Sequence, residues 1–375
     1  MDTAKTDVLF ITDKAYVDYN IAGGVQLCTG EFINYFEQAG YTVNVLKVQP
    51  VISTIKKLRI KLGIEAYSLY ELSPYVNDIV SSVKAKNIKI VLFNQISLAH
   101  WAADLKKHLP TDVKFICLSH GNESGDFLHH ITQTQKPTFT HTWRLGRLLI
   151  REKQIFGNLD GVITISEQEA ATNSWIGAKQ ILYLPRILKP AFINWGQNNT
   201  RVGFVGTLDH LPNIEGVRSL ARELKKSNFK AEFVLVGGPE SVGQQLAKEF
   251  PFIKYKGPLS STQLINEVQI WAVFLNPVFW YARGSSTKLA QAINWGIPVI
   301  STPAGARGYQ LSNKAILTED NTPASFAKAV TSALINPESL LGLKKSAEVN
   351  SADFDIELWA SRLESFIKQI AAIKN

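Results

Sequence analysis

Short runs of Val, Ile, Leu and Phe alternate along the chain with longer amphipathic stretches. The spacing predicts strands over 8–12, 43–48, 88–94, 115–119, 161–166 and 181–184, and a second series over 202–206, 233–237, 253–256, 273–276 and 299–301. Helix-length patterns lie between them, as at 26–38, 213–226 and 288–295. Strands that lack polar alternation are buried on both faces, so the pattern implies parallel sheets flanked by helices. Two series predict two doubly wound units, 1–189 and 190–354, with 185–200 between them and Gly196–Thr200 as its most linker-like part. Residues 355–373 predict a long helix with Ile356, Trp359, Leu363, Phe366, Ile367 and Ile370 on one face, within a 355–375 tail that packs back on the first unit. In such units ligands gather at the carboxyl ends of the strands, and two units offer a cleft for a donor and an acceptor.

Composition narrows the class. The chain has 375 residues, 45% hydrophobic and 19% charged, which excludes disorder as its main state. No uncharged apolar stretch is long enough to span a bilayer, and Asp13 and Lys14 cut short the first apolar run, against a signal peptide. Cys28 and Cys117 are the two cysteines, read as buried thiols in a reducing compartment, so the expected location is cytoplasmic. The net charge of +8 divides evenly between the halves. That fits anionic small molecules or the inner face of the plasma membrane, and no nucleic acid.

The most informative segment runs from Arg283 to Ile300. Gly284 permits close backbone approach. Ser285, Ser286 and Thr287 are N-cap residues, and Gly296 and Pro298 stop the helix they start. A helix N-terminus is an anion site. Lys288 in the first turn opposes the helix dipole, which suits a phosphate ligand. The plain alternative is a capped helix with a surface lysine.

Gly284-Ser285, Lys288-Leu289, Ala292, Gly296 and Pro298-Val299 stand in the order of the nucleotide-sugar segment of retaining, family-four glycosyltransferases (group 1 type) with the GT-B fold. The resemblance covers the chain. Gly23-Gly24 resembles the family's first glycine loop, 160–166 its serine-terminated strand, and Phe204–Leu208 with Pro212-Asn213 the opening of its donor domain. The runs 233–238 and 301–306 resemble the family's valine-glycine-glycine strand end and the turn after its last donor helix. The resemblance implies an α/β GT-B fold, two Rossmann-like doubly wound parallel-sheet domains facing a central cleft. It implies a hexosyltransferase that takes glucose from UDP-glucose to a carbohydrate or lipid-linked glycan in polysaccharide or glycoconjugate synthesis. No cofactor or metal is expected. Catalysis in this family rests on positioning and on stabilising the leaving diphosphate, which itself helps take the acceptor's proton.

By this resemblance Gly23, Gly24, Gly206, Thr207, His210, Gly284, Ser285, Ser286, Thr287, Lys288 and Gln291 contact the donor, and backbone groups near Lys256 and Leu259 read the base. His120, at the carboxyl end of a buried strand, contacts the transferred sugar. Glu123, Asp126 and Asp13 are the carboxylates that could orient an acceptor hydroxyl, whereas His129 and His130 lack a zinc-like ligand set. Two departures stand out. Where many members carry two glutamates, this chain has Arg283 and Gln291; the amide still accepts a ribose hydroxyl, but a guanidinium accepts nothing, so Arg283 is a catalytic candidate only through contact with phosphate, or is displaced outward. The loop 207–213 also lacks the usual Arg and Lys, leaving His210, Lys288 and backbone N–H groups for the phosphates. The alternatives are a UDP-sugar epimerase of the same fold and a non-catalytic GT-B partner subunit. A dehydrogenase is disfavoured because no Gly-x-Gly-x-x-Gly follows the first strand. Finally, 52–62 carries Lys56, Lys57, Arg59 and Lys61 among aliphatic residues and no acid. It reads either as a helix resting on an anionic bilayer or as a solvated basic face over a core stripe.

Overall fold

A computed structural model describes residues 6–18, 23–51, 53–134, 136–196 and 200–373. Met1–Lys5, Ile52 of the basic segment and Gln197–Asn199 of the linker lie outside the described residues. The chain forms two compact units, 1–186 with 355–375, and 187–354. Each has its own sheet and core.

The first unit contains β1 (Thr6–Asp13), β2 (Tyr41–Val48), β3 (Ile90–Asn94), β4 (Lys114–Leu118), β5 (Gly161–Thr164) and β6 (Ile181–Tyr183). They lie in the order β2-β1-β3-β4-β5-β6, every neighbouring pair parallel. Central strands β3 and β4 are buried at every position, which is why their sequences show no alternation. Its helices are α1 (Gly24–Gln38), α2 (Thr54–Lys61), α3 (Val76–Ala85), α4 (Ile96–Ala99), α5 (Ala102–Leu105), α6 (Glu123–Thr134), α7 (Phe139–Phe156) and α8 (Glu167–Ile176). Helix α15 (Ile356–Ala372) completes this unit. It buries Trp359, Leu363, Phe366, Ile367 and Ile370, and a side chain at Gly161 would meet Ile370 at 2.5 Å, so the glycine lets the helix close on β5. The unit ends at Arg186 because Arg186 pairs with Glu31 at 2.5 Å and the preceding carbonyl, Pro185 O, accepts from Tyr35. Cys28 and Cys117 are both buried thiols.

The second unit contains β7 (Arg201–Val205), β8 (Glu232–Val236), β9 (Ile253–Gly257), β10 (Val273–Asn276) and β11 (Val299–Ser301), in the parallel order β11-β10-β7-β8-β9. Around them lie α9 (Leu211–Lys226), α10 (Glu240–Glu249), α11 (Ser261–Val268), α12 (Thr287–Asn294), α13 (Pro323–Ile335) and α14 (Pro337–Ala352). Leu188 belongs to the core of this unit. The fold class is therefore the expected one, two α/β parallel-sheet domains.

The glycine loop does not follow the first strand at once: a short 3-10 turn, Lys14–Val17, and further residues lie between β1 and Gly24, where α1 begins. The aliphatic residues of the basic segment are not a core stripe either. Helix α2 buries no residue; the buried positions begin beyond its end, at Gly63, Ala66 and Tyr67.

Candidate active site

In the second unit, the loop after β7 and the start of α12 meet around Lys288. The Lys288 ammonium donates to Asn213 Oδ1 at 2.6 Å and lies 4.9 Å from the centre of the Phe204 ring. Asn213 Nδ2 donates in turn to Thr207 O at 2.7 Å, tying the lysine to the Gly206-Thr207 turn. That turn is held from the other side by β8. Gly237 has φ +131°, and a side chain there would stand 2.1 Å from Gly206 O, a backbone contact that cannot yield. Leu208 N also donates to Gly238 O at 2.6 Å.

Ser286 occupies the N-cap position of α12 but does not cap it. Its hydroxyl donates instead to Asn276 Oδ1 at 2.9 Å, and Asn276 Nδ2 donates to Ser301 Oγ and Gly305 O. Tyr309 OH donates to Ser286 O at 2.5 Å. The first turn of α12 is thus clamped by side chains from β10 and from the segment after β11, with its N-terminal peptide dipoles beside Lys288. Thr287 opens the helix, and Gln291 follows Lys288 by three residues on the same side of it.

Arg307 is a residue that sequence reasoning did not single out. It is buried, and its guanidinium donates to Ala304 O at 2.7 Å and Arg283 O at 3.1 Å. Burial, and then the positive charge of Arg307, push the Lys288 ammonium down to about 7. Two cations held together in a desolvated place favour an anionic ligand. Arg283 itself is exposed, and the structure uses its carbonyl. His210 is exposed before α9, where its carbonyl accepts from Asn213 N at 2.9 Å. Gly284 and Ser285 are half-buried before the clamp. Lys256 points elsewhere: its ammonium lies 3.6 Å from Glu267. Near it, Gly257 O accepts from Gly237 N, and Leu259 packs on the core.

In the first unit, polar residues gather at the carboxyl ends of β1, β3 and β4. Asn94 is fully buried and uses both amide hydrogens, on Thr12 Oγ1 at 2.8 Å and Thr29 Oγ1 at 2.9 Å. Its Oδ1 therefore accepts, and His120 Nε2–H donates to it at 2.6 Å. This places the proton of neutral His120 on Nε2 and fixes the ring, which stands edge-on to Phe32 at 5.6 Å. Beside it, Asp13 accepts from Tyr70 OH at 2.6 Å and from Ala15 N at 2.7 Å. Burial, with the Asp13 hydrogen bond, pushes the Tyr70 hydroxyl well above the usual phenol range, so it stays a donor. Gln95 bridges Tyr70 and Tyr16, and its φ of +117° is rare for any residue but glycine.

The loop that carries His120 is anchored by Glu152. This fully buried carboxylate accepts from Ser124 N at 3.0 Å, Ser124 Oγ at 2.6 Å and Tyr67 OH at 2.5 Å. Burial pushes its carboxyl up, with the hydrogen bonds opposing. Glu123 and Asp126 lie in the first turn of α6 that it holds. Gly23 precedes α1, the helix that supplies Thr29 and Phe32 to the His120 surroundings. Asn94, Gln95 and Tyr70 were not legible as site residues; the signal was an Asn-Gln pair at the carboxyl end of a buried strand.

Among the described residues, no group of three or more His, Cys, Asp or Glu is placed to hold a metal ion.

Residues 199–336 match the family model of glycosyl transferases group 1. Curated proteins return no match to the sequence. Among solved structures, the chain is similar to sucrose-phosphate synthase from Thermosynechococcus elongatus, with a TM-score of 0.69 and 16% identity over 98% of this chain and 100% of that one. It is similar to TarM, with a TM-score of 0.68 and 11% identity over 99% of each chain. An S. aureus TarM variant, solved with fondaparinux, α-GlcNAc-glycerol and UDP, has a TM-score of 0.56 and 12% identity over 80% of this chain and 59% of that one. The lipopolysaccharide outer core galactosyltransferase WaaB has a TM-score of 0.62 and 14% identity over 97% and 99%. The second unit thus carries the pattern of glycosyl transferases group 1, and the two parallel-sheet domains have the GT-B fold of these solved structures.

Proposed function

We propose that the protein is a retaining hexosyltransferase that moves glucose from UDP-glucose to a carbohydrate or lipid-linked glycan acceptor in polysaccharide or glycoconjugate synthesis. The observation that carries this reading is Lys288, a desolvated ammonium held by Asn213 between the Gly206-Thr207 turn and the start of α12. A site that disfavours its own cation is suited to a diphosphate, which supplies negative charge. Lys288 and Arg307 then face the two phosphates, joined by Gly284, Ser285, Ser286 and Thr287 through backbone N–H groups. Gln291 reaches the ribose and the end of β9 reads the base. Uridine is favoured by the UDP bound to the S. aureus TarM variant.

His120 and the Gly23-Gly24 turn serve the transferred sugar. As the sugar–phosphate bond breaks, negative charge grows on the leaving diphosphate. Lys288, Arg307 and the dipole of α12 stabilise that charge, and the diphosphate oxygen accepts the acceptor's proton on the same face. Side chains supply the positive charge, so no divalent metal is needed.

The test is a donor screen. Purified protein is given UDP-, GDP-, ADP- and dTDP-sugars, with and without magnesium or manganese, and diphosphate release and the fate of the sugar are followed. Metal-independent release of UDP and glucose from UDP-glucose is expected. Sugar isomerised without release would establish the epimerase instead, and no binding of any donor would establish the non-catalytic subunit.

A further inference from the structure

Helices α2 and α7 of the first unit each leave an apolar stripe uncovered. On α7, Phe139, Trp143 and Ile150 are 84%, 52% and 55% exposed. Their spacing places them within about 40° of arc, opposite Leu148, which faces the core. On α2, Ile55 and Leu58 are 72% and 57% exposed, and Leu62 continues the same face just past the helix. The segment just past α2 touches α7: Arg147 Nε donates to Gly63 O at 3.3 Å, and Ile64, Glu65, Arg147, Ile150 and Arg151 line one hollow with Gly63.

The charge around these stripes is predominantly positive. Helix α2 carries Lys56, Lys57, Arg59 and Lys61 and no acid. Helix α7 carries Arg144, Arg147, Arg151 and Lys153, and its one acid, Glu152, is buried. Lys56 pairs with Glu71 and Arg59 with Glu65, and Lys57, Lys61 and Arg147 are exposed. A protein-binding face is normally poor in lysine at its centre. A bilayer face combines exposed aromatic and aliphatic residues with long cations that reach lipid phosphates.

We propose that α2 and α7 together form a docking surface for an anionic lipid bilayer. Phe139, Trp143, Ile150, Ile55 and Leu58 enter the interface, and Lys57, Lys61 and Arg147 hold the phosphates. The surface belongs to the first unit and uses none of the donor-site residues of the second, so it stands or falls independently of the UDP-glucose reading.

The test is co-sedimentation of the full chain with phosphatidylcholine vesicles, with and without phosphatidylglycerol. Binding is expected only with the anionic lipid, and it should weaken as salt rises. At about fivefold per cation, Lys57→Gln with Lys61→Gln should lower the partition coefficient about 25-fold. Phe139→Ser with Trp143→Ser should lower it at least about tenfold. UDP affinity and melting temperature, measured on the same variants, should not move, since these side chains are exposed. Absence of sedimentation with anionic vesicles overturns the proposal, as does equal binding to pure phosphatidylcholine. A concentration-dependent dimer that Phe139→Ser abolishes, without vesicle binding, would overturn it in favour of a contact between copies.

Discussion

Replacing Lys288 with methionine should make the unliganded protein more stable and the site useless. The ammonium sits near pKa 7 in the fold against an ordinary value near 10.5. Between those pH values the unfolded chain holds a proton that the folded chain does not, so wild-type stability should rise with pH across that window. At pH 7 the mismatch costs the fold on the order of 4 kcal/mol. Methionine removes that cost and forfeits the bond to Asn213, worth about 1–2 kcal/mol. The net expectation is a gain of about 2 kcal/mol, or about 5 °C in Tm by differential scanning fluorimetry at pH 7.

Ligand binding should move the opposite way. A diphosphate needs the charged lysine, and above pH 7 its own phosphates are already ionised. Only about one unliganded site in a hundred is charged at pH 9, against half at pH 7, so UDP affinity should fall about fifty-fold between the two. In Lys288→Met, UDP affinity at pH 7 should drop about 10- to 100-fold and lose this pH dependence. Calorimetric titration at pH 7, 8 and 9 measures both. A wild-type affinity that is flat with pH, or a methionine variant that binds UDP as tightly, would refute the assignment of Lys288 to the phosphates.

Other residues give sharper local tests. Asn213→Ala should release Lys288 from the Gly206-Thr207 turn and weaken UDP binding about tenfold by calorimetry, without the gain in Tm. Gly237→Ala should cost more than about 2 kcal/mol, because its new methyl meets Gly206 O; an unchanged Tm would show that the turn can shift. Glu152 has its carboxyl raised in the fold, so it contributes stability that is complete below its unfolded pKa and is lost as pH rises through the folded one. Glu152→Gln should therefore flatten that decline in pH-dependent melts, and a decline as steep as in wild type would count against it. His120→Ala should reduce sugar transfer at least about tenfold while leaving UDP affinity unchanged, and a parallel loss of UDP affinity would remove it from the sugar side.

The sheets were legible because their strands are covered on both faces, so that burial leaves an uninterrupted apolar run such as Ile90–Phe93. The 283–300 segment was legible because one helix start concentrates its chemistry within a few residues. What escaped depends on contacts between distant segments. Arg307 lies 19 residues from Lys288, by number, with nothing in its neighbourhood to signal a shared site, and Asn213, although in the donor-domain opening, gives no sign that its amide holds a lysine 75 residues away. Asn94 reads as the polar end of a strand until Thr12, Thr29 and His120 are seen to use every atom of its amide. Helix α7 defeated periodicity for another reason. With Phe139, Trp143 and Ile150 on one side and Leu148, Ile155 and Phe156 on the other, it is apolar on both faces, and such a helix reads as simply buried.

Two cations withdrawn from solvent in this chain serve different ends. Arg186 is matched by the carboxylate of Glu31 in the folded chain, and the pair holds two segments together. Lys288 is arranged the other way: its ammonium donates to the neutral amide oxygen of Asn213, and the positive charge of Arg307 raises the cost of keeping it protonated. A cation in that setting adds nothing to stability and would be easily replaced by an apolar residue if the fold alone mattered. The charge that suits it comes with a diphosphate substrate. The ligand-free protein should therefore be less stable than its sequence could make it, and at a fixed UDP concentration the ligand should raise its Tm most strongly near pH 7, where half the sites are charged, and little at pH 9.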